Sequence, residues 1–168
     1  MSIGLLLLRL VVGLTLAAHG AQKLFGMFGG GGISGTANGM EQLGFVPGRR
    51  SAVMAGLAET GGGIMLAFGA ATPLAAAIVV GVMTVAIVSV HIQHGFFAMQ
   101  GGYEFPLVLA LAATSVAFTG PGRLSLDALL GLDLAGARWG CAALCLGLAA
   151  GGFQLASRRS PAAQPQNS

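Results

Sequence analysis

Five long apolar stretches, at about 3–25, 51–70, 73–91, 104–119 and 138–156, dominate the chain, with polar or glycine-rich segments between them. Each comes near the roughly 20 residues that a helix needs to cross the hydrocarbon core of a bilayer. The fourth is the shortest, and Gly101-Gly102-Tyr103 is expected to lengthen it. Pro73 and Pro106 fall in predicted first turns, where a missing N–H costs no helical hydrogen bond. Only a few residues part the second and third stretches, so these two must form an antiparallel hairpin. The pattern predicts an all-α integral membrane fold: a four-helix transmembrane bundle with a fifth, C-terminal transmembrane helix.

The segments between the spans differ in character. Residues 26–50 form a long connector that opens Gly-rich and then carries a weakly amphipathic stretch around Met40, Leu43 and Phe45. Asn38 and Glu41 have the spacing of a capping box, and an interfacial or re-entrant piece is expected there. Gly120-Pro121-Gly122 ends the fourth span, and Leu124 to Leu134 reads as a leucine-rich surface helix. The expected organisation is a four-helix membrane domain at 1–135 that includes the connector, an extra apolar helix at 136–156, and a tail at 157–168. That tail is Pro-, Ala- and Gln-rich and is expected to be disordered. The first stretch reads as a retained span, since no basic region precedes it and Arg9 lies inside it. Lys23, Arg49, Arg50, Arg158 and Arg159 gather at one end of such a bundle, with Arg123 and Arg138 at the other. The positive-inside rule then puts the connector and tail in the cytoplasm and the N-terminus outside.

Composition narrows the class. Hydrophobic residues are 55% of the 168 and charged residues 8%, and the mean hydropathy is +0.82. A soluble domain carries about 25% charge, so this chain has too little polar surface to face water all round. Its net charge of +3 is scattered, with no Lys/Arg run and no basic–aromatic interleaving, which argues against a nucleic-acid partner. Cys141 and Cys145 stand one helical turn apart and read as buried thiols rather than a disulfide or a metal site. Gly30, Gly32 and Gly35 match a dinucleotide fingerprint by letter but follow no strand. Neither a metal nor a nucleotide is predicted.

Against this background the few ionisable residues in or beside the spans stand out: Arg9, His19, Lys23, Glu59, His91 and Glu104. A charge at the centre of a membrane helix costs roughly 2.5 to 3.5 kcal/mol on insertion scales. Such residues normally face the bundle interior in pairs and mark ion, proton or ligand sites. Arg9, Gly13, Gly20 and Lys23 share one stripe of the first helix, and Ala52, Ala55, Gly56 and Gly63 lie on the side of Glu59 in the second. Small residues allow close helix approach, so these two faces are expected to pack together. At roughly 1.5 Å per residue, His19 lies about 9 Å, Glu59 about 14 Å and Arg9 about 24 Å from the connector end. Glu59 is therefore bracketed by His19 and Arg9, either of which would neutralise it. The same end collects Lys23, His91, His94 and Glu104. Two readings stay open: a proton-handling or quinone-headgroup site, or structural ion pairs and snorkelling side chains. A bis-His haem between His19 and His91 has no attachment motif to support it.

The order of short motifs carries a resemblance. Arg9-Leu10, Gly13 and His19-Gly20-Ala21-Gln22-Lys23-Leu24-Phe25-Gly26 come first, followed by Gly35-Thr36, Leu43-Gly44-Phe45, Pro47 and Glu59-Thr60-Gly61-Gly62. Met83-Thr84-Val85-Ala86, His91, Gly95-Phe96-Phe97, Gly102-Tyr103-Glu104 and Gly120-Pro121-Gly122-Arg123 continue it to Ser125-Leu126-Asp127. This order resembles the DoxX family over about residues 3–130. The resemblance implies a multi-pass protein of the bacterial cytoplasmic membrane with a four-helix core. Some relatives are subunits of thiosulfate:quinone oxidoreductase, and members are commonly labelled oxidoreductases. It implies a quinone as the cofactor, with Glu59, His91 and His19 handling protons and Arg9, Lys23 and Glu104 orienting the bound group. The chain has no recognisable redox centre, so the expected partners are the lipid bilayer, a partner subunit or soluble redox enzyme, and a second copy of the chain. A non-enzymatic scaffold for soluble redox enzymes and a transporter of small solutes or ions are the competing readings. The fifth apolar stretch departs from the family's four-span pattern.

Overall fold

The structure, a computed structural model, describes residues 2–159. It is all-helical. Helix α1 spans Ser2–Phe25, α2 Gly32–Gln42, α3 Gly48–Phe68, α4 Thr72–Ala86, α5 Glu104–Thr119, α6 Leu126–Leu129 and α7 Ala137–Ala156. A π-helical turn at Ile87–His91 and a 3₁₀ turn at Ile92–His94 prolong α4. Four helical stretches are long and apolar enough to cross a bilayer: Ser2–Phe25, Gly48–Phe68, Thr72–His94 and Ala137–Ala156. The C-terminal helix is thus one of the long ones. Helix α5 is the short one, with 16 residues. Gly101-Gly102-Tyr103 does not lengthen it, because Gly101 sits at φ 80° and turns the backbone ahead of Glu104.

Sharp chemistry at the ends makes the hairpin between α3 and α4. Gly69 takes the left-handed conformation (φ 63°) and donates its N–H to Leu66 O, while Ala70 N–H bonds Met65 O. This is the Schellman arrangement, and it satisfies carbonyls that a helix end would otherwise leave unpaired. Pro73 follows in the first turn of α4, as the sequence predicts.

Small residues bring the helices together. A Cβ on Gly13 would collide with Gly63 O, and one on Gly63 would sit 2.5 Å from Gly13 O. A Cβ on Gly20 would strike Thr60 and Gly56 O of α3. The predicted small-residue faces of α1 and α3 therefore meet. Helix α7 docks on α4 in the same way: Gly147 lies against Ala77 and Val80, and Gly151 against Gly81 and Thr84. Dispersion contacts at this range, rather than water exclusion, hold helices together in lipid. The shared core runs through Leu16, Leu66, Val79, Met83, Leu109 and Val116. Outward faces carry exposed Leu7, Val11, Leu57, Ile64, Val108 and Leu146, the inverse of a water-soluble bundle. Cys141 and Cys145 lie on this outer surface too and are exposed, not buried as expected.

Three connecting segments differ from their sequence reading. Asn38 lies inside α2 and caps nothing there; Glu41 Oε1 instead accepts the N–H of Gly48, at the start of α3, at 3.1 Å. The expected surface helix at 124–134 contracts to Leu126–Leu129, because Gly131 (φ 69°) turns the chain and the Asp127 side chain is engaged elsewhere. Of the tail at 157–168, residues 160–168 lie outside the described part, while Arg158 and Arg159 are fixed against the connector through Leu43 O and Gly44 O.

Candidate functional site

Glu59 sits near the middle of α3 with its side chain 6% exposed. Its partner is Lys23, in the last turn of α1, whose Nζ lies 2.6 Å from Glu59 Oε2. The long lysine stem lets an ammonium anchored near the helix end reach a deeper carboxylate. Neither of the two neutralising groups expected from depth takes this role. His19 Nδ1 lies 3.1 Å from Gln22 Oε1, and its ring tilts against Phe105 at a centroid distance of 6.0 Å.

Arg9 is held at the other end of the bundle, about 21 Å along α1 from Lys23 at roughly 1.5 Å per residue. It is 1% exposed. Its guanidinium donates to Pro121 O and, at 2.5 Å, to Leu124 O. Asp127, also 1% exposed, supplies negative charge nearby. The Asp127 carboxylate accepts from Ala71 N, Thr72 N and Thr72 Oγ, between 2.6 and 2.9 Å. It therefore caps α4 from a distant loop, answering the positive end of that helix. Gly69 makes room, since a Cβ there would lie 2.8 Å from Arg9 Nη1. Arg9 and Asp127 thus tie the 120–127 loop to α1 and to the α3–α4 hairpin. Asp127 appears in the motif string, but its capping role depends on a contact across the fold that no local spacing announces.

At the Lys23 end the bundle holds a half-open cavity of about 420 Å³. Its walls come from α3, α4 with its π turn, and α7, and its roof from Met40, Leu43 and Phe45 of the connector. Most of the lining is apolar, including Ile78, Val82 and Val85. The polar lining is Lys23, Ser51, Glu59, Ser89, His91 and Gln154. The shape of this chemistry is amphipathic: a hydrocarbon-compatible chamber with one ion pair and a few neutral hydrogen-bonding groups. The C-terminal residues fasten its roof. Arg158 Nε donates to Leu43 O at 2.8 Å, Arg159 N donates to Gly44 O at 2.8 Å, and the Arg158 guanidinium lies 5.5 Å from the centre of the buried Phe45 ring.

His91 faces this chamber with a defined tautomer. Its Nδ1 lies 2.6 Å from Gly101 O. A carbonyl can only accept, so Nδ1 carries the hydrogen and Nε2 is left as the basic nitrogen. His94 is fixed likewise, Nδ1 to Val90 O at 2.9 Å, but does not line the cavity. Glu104 Oε2 accepts Ala98 N at 2.9 Å and braces the loop before α5. Of the six residues singled out in the sequence, the structure brings Lys23, Glu59 and His91 to the cavity. Arg9, His19 and Glu104 do not line it. Sequence reasoning missed Ser51, Ser89 and Gln154, whose residue types carry no signal in isolation; only the fold puts them in one cavity wall with Glu59.

Fold and site together define a small multi-pass membrane protein with an amphipathic chamber among its helices at the connector end. Residues 4–92 match the model of the DoxX family, and the chain belongs to that family. A Bacillus subtilis (strain 168) protein named "Putative oxidoreductase CatD" is 32% identical over 125 residues, covering 74% of this chain and 85% of that protein. No solved structure matches the chain. Helices α5 and α7 lie beyond the matched stretch, yet α7 contributes Ala150, Gly151 and Gln154 to the cavity wall.

Proposed function

We propose that the chain is the membrane component of a quinone-linked oxidoreductase of the bacterial cytoplasmic membrane, and that the cavity receives the quinone head. The observation that carries this reading is the Lys23–Glu59 ion pair, its carboxylate buried, set in the wall of a mostly apolar cavity of about 420 Å³. The residues fit such a group: Lys23, Ser51, Glu59, Ser89, His91 and Gln154 offer donors and acceptors for ring oxygens, and Ile78, Val82 and Val85 offer an apolar bed for ring methyls and tail. A bound quinone would supply a lipid-soluble acceptor that takes up two electrons together with two protons. Lys23 Nζ would orient an oxygen of the head and balance charge gathering there, because an ammonium in low dielectric acts strongly over short range. Glu59 would hold a proton at its carboxylate, and His91 Nε2 would pass protons between the cavity mouth and the head. The electrons must come from a partner subunit or soluble redox enzyme, for which the basic connector end, with Arg49, Arg50 and Arg158, is the cytoplasmic face.

The CatD name supports the oxidoreductase class. The test is purified protein in lipid nanodiscs, offered decylubiquinone with thiosulfate or a small thiol as donor, beside Glu59→Gln. Saturable quinone binding, with turnover or binding impaired in the variant, supports the reading. Quinone that fails to bind wild type in lipid overturns it, and the scaffold and the transporter then take its place. Solute flux into liposomes that depends on Glu59 would select the transporter.

A further inference from the structure

Hydroxyl groups in apolar helices have a routine solution. Where no other partner is near, serine and threonine donate back to the carbonyl four residues earlier. The chain uses it repeatedly: Thr84 bonds Val80 O, Thr114 bonds Ala110 O, Ser115 bonds Leu111 O and Thr119 bonds Ser115 O, all at 2.8 or 2.9 Å. Ser89 departs from it. The residue is 7% exposed, and its Oγ finds no hydrogen-bond partner among the described residues. It lies in the π turn Ile87–His91, where the carbonyl register shifts from that of the preceding α-helix. π turns recur at functional sites for the same reason: they re-aim side chains at the expense of regular hydrogen bonding. A buried hydroxyl left unbonded is destabilising, and in hydrocarbon no water is present to relieve it.

Its position gives the missing bond a meaning. Ser89 lines the same cavity as Lys23, Glu59 and His91. Thr60 is the instructive contrast, since its Oγ is also buried and unpartnered, but it is packed against Gly20 in the α1–α3 contact and does not line this cavity. With no bond holding its χ1 rotor, Ser89 can turn its hydroxyl between staggered positions. Lys23 and Glu59 are already committed to each other, and His91 has one nitrogen spent on Gly101 O. Ser89 has both its donor and its acceptor capacity free.

We propose that Ser89 is a ligand-positioning residue, donating its hydroxyl hydrogen to a carbonyl oxygen of the bound head and so fixing the head's orientation between the ion pair and His91. This rests on the reading of the cavity as a quinone site. It adds a specificity element to it, because a ligand of the same shape without a ring carbonyl gains nothing from the hydroxyl.

The experiment compares decylubiquinone with the decyl-dimethoxy-methylbenzene substituted at the same ring positions (the decylbenzene analogue), which keeps the tail, methoxy and methyl groups and loses both carbonyls. Binding is measured to wild type, Ser89→Ala, Ser89→Thr and Glu59→Gln in nanodiscs. Ser89→Ala should weaken decylubiquinone about tenfold, the order of one hydrogen bond that a buried site depends on. It should leave the decylbenzene analogue within about twofold, and Ser89→Thr should restore most of the loss. In ligand-free protein Ser89→Ala should melt no lower than wild type, since it removes a group with no partner. Equal effects of Ser89→Ala on both ligands, or none on decylubiquinone while Glu59→Gln weakens it, would overturn the role of Ser89 and leave the quinone site standing. Failure of decylubiquinone to bind wild type removes the site and the role together.

Discussion

The two ends of α1 each hold a cation, and the two are used in opposite ways. Arg9 is surrounded by fixed partners: two backbone carbonyls, the nearby Asp127, and Gly69, which leaves no room for a side chain. Lys23 has one partner, Glu59, is 26% exposed, and borders open volume. The first arrangement closes a joint between three segments of chain. The second leaves a polar edge beside an apolar space, which is what a small-molecule site needs. Burial of charge in a membrane helix is therefore not by itself the mark of a site. Arg9 Nε finds no hydrogen-bond partner among the described residues, so complete pairing is not what separates the joint from the chamber; the open volume beside Lys23 is.

That contrast breaks most sharply by removing charge at each end. Asp127→Ala strips three hydrogen bonds from the start of α4 and leaves Arg9 without its nearby counter-charge. Breaking a buried charged network in this way costs about 3 to 5 kcal/mol, and thermal or denaturant unfolding in detergent should show a loss of that order. Arg9→Met, which orphans Pro121 O and Leu124 O, should fall in the same range. Quinone binding measured on whatever folded protein remains should be little changed, since neither residue touches the cavity. At the other end, Glu59→Gln should reverse the pattern. The lysine is partly exposed and can turn toward the interface, so the stability loss should stay near 1 kcal/mol, while binding or turnover falls by about tenfold or more. Similar stability losses from Asp127→Ala and Glu59→Gln would erase the distinction between joint and chamber.

Much of this fold was legible in the hydrophobic pattern. The five apolar stretches became five helices, the α3–α4 hairpin followed from its short link, and the glycine faces of α1 and α3 met. Depth arithmetic was less informative. It measures distance along each helix but says nothing of rotation or of side-chain reach, so it paired Glu59 with His19 or Arg9 when the flexible Lys23 reached it first. Glu41 shows the same limit: its spacing from Asn38 pointed to a local cap, and the carboxylate in fact serves the next helix. The most consequential omission was α7. Read as an appendage to a four-helix family core, it packs on α4 through Gly147 and Gly151 and walls the cavity. Its glycines were present in the sequence, but a small-residue face announces a partner only when the opposing face is known.

The smallest effect should arise where the chamber meets the chain's end. Arg158 holds the roof by one hydrogen bond to Leu43 O and by its guanidinium over Phe45. Exposed contacts of this kind contribute about 0.5 to 1 kcal/mol, so Arg158→Ala should lower the melting temperature only slightly. Its consequence for the cavity should be kinetic. Phe45 is 2% exposed, and among the described residues the hydrogen bonds from the connector to the segment after α7 are those of Arg158 and Arg159. Loosening that contact lets the roof fluctuate more often without altering Lys23, Glu59 or His91. Stopped-flow measurement with decylubiquinone should then find association and dissociation both faster by about two- to fivefold, the span that 0.5 to 1 kcal/mol corresponds to, with affinity nearly unchanged. A drop in affinity with no change in rates would mean that the roof is part of the binding surface and not a barrier above it.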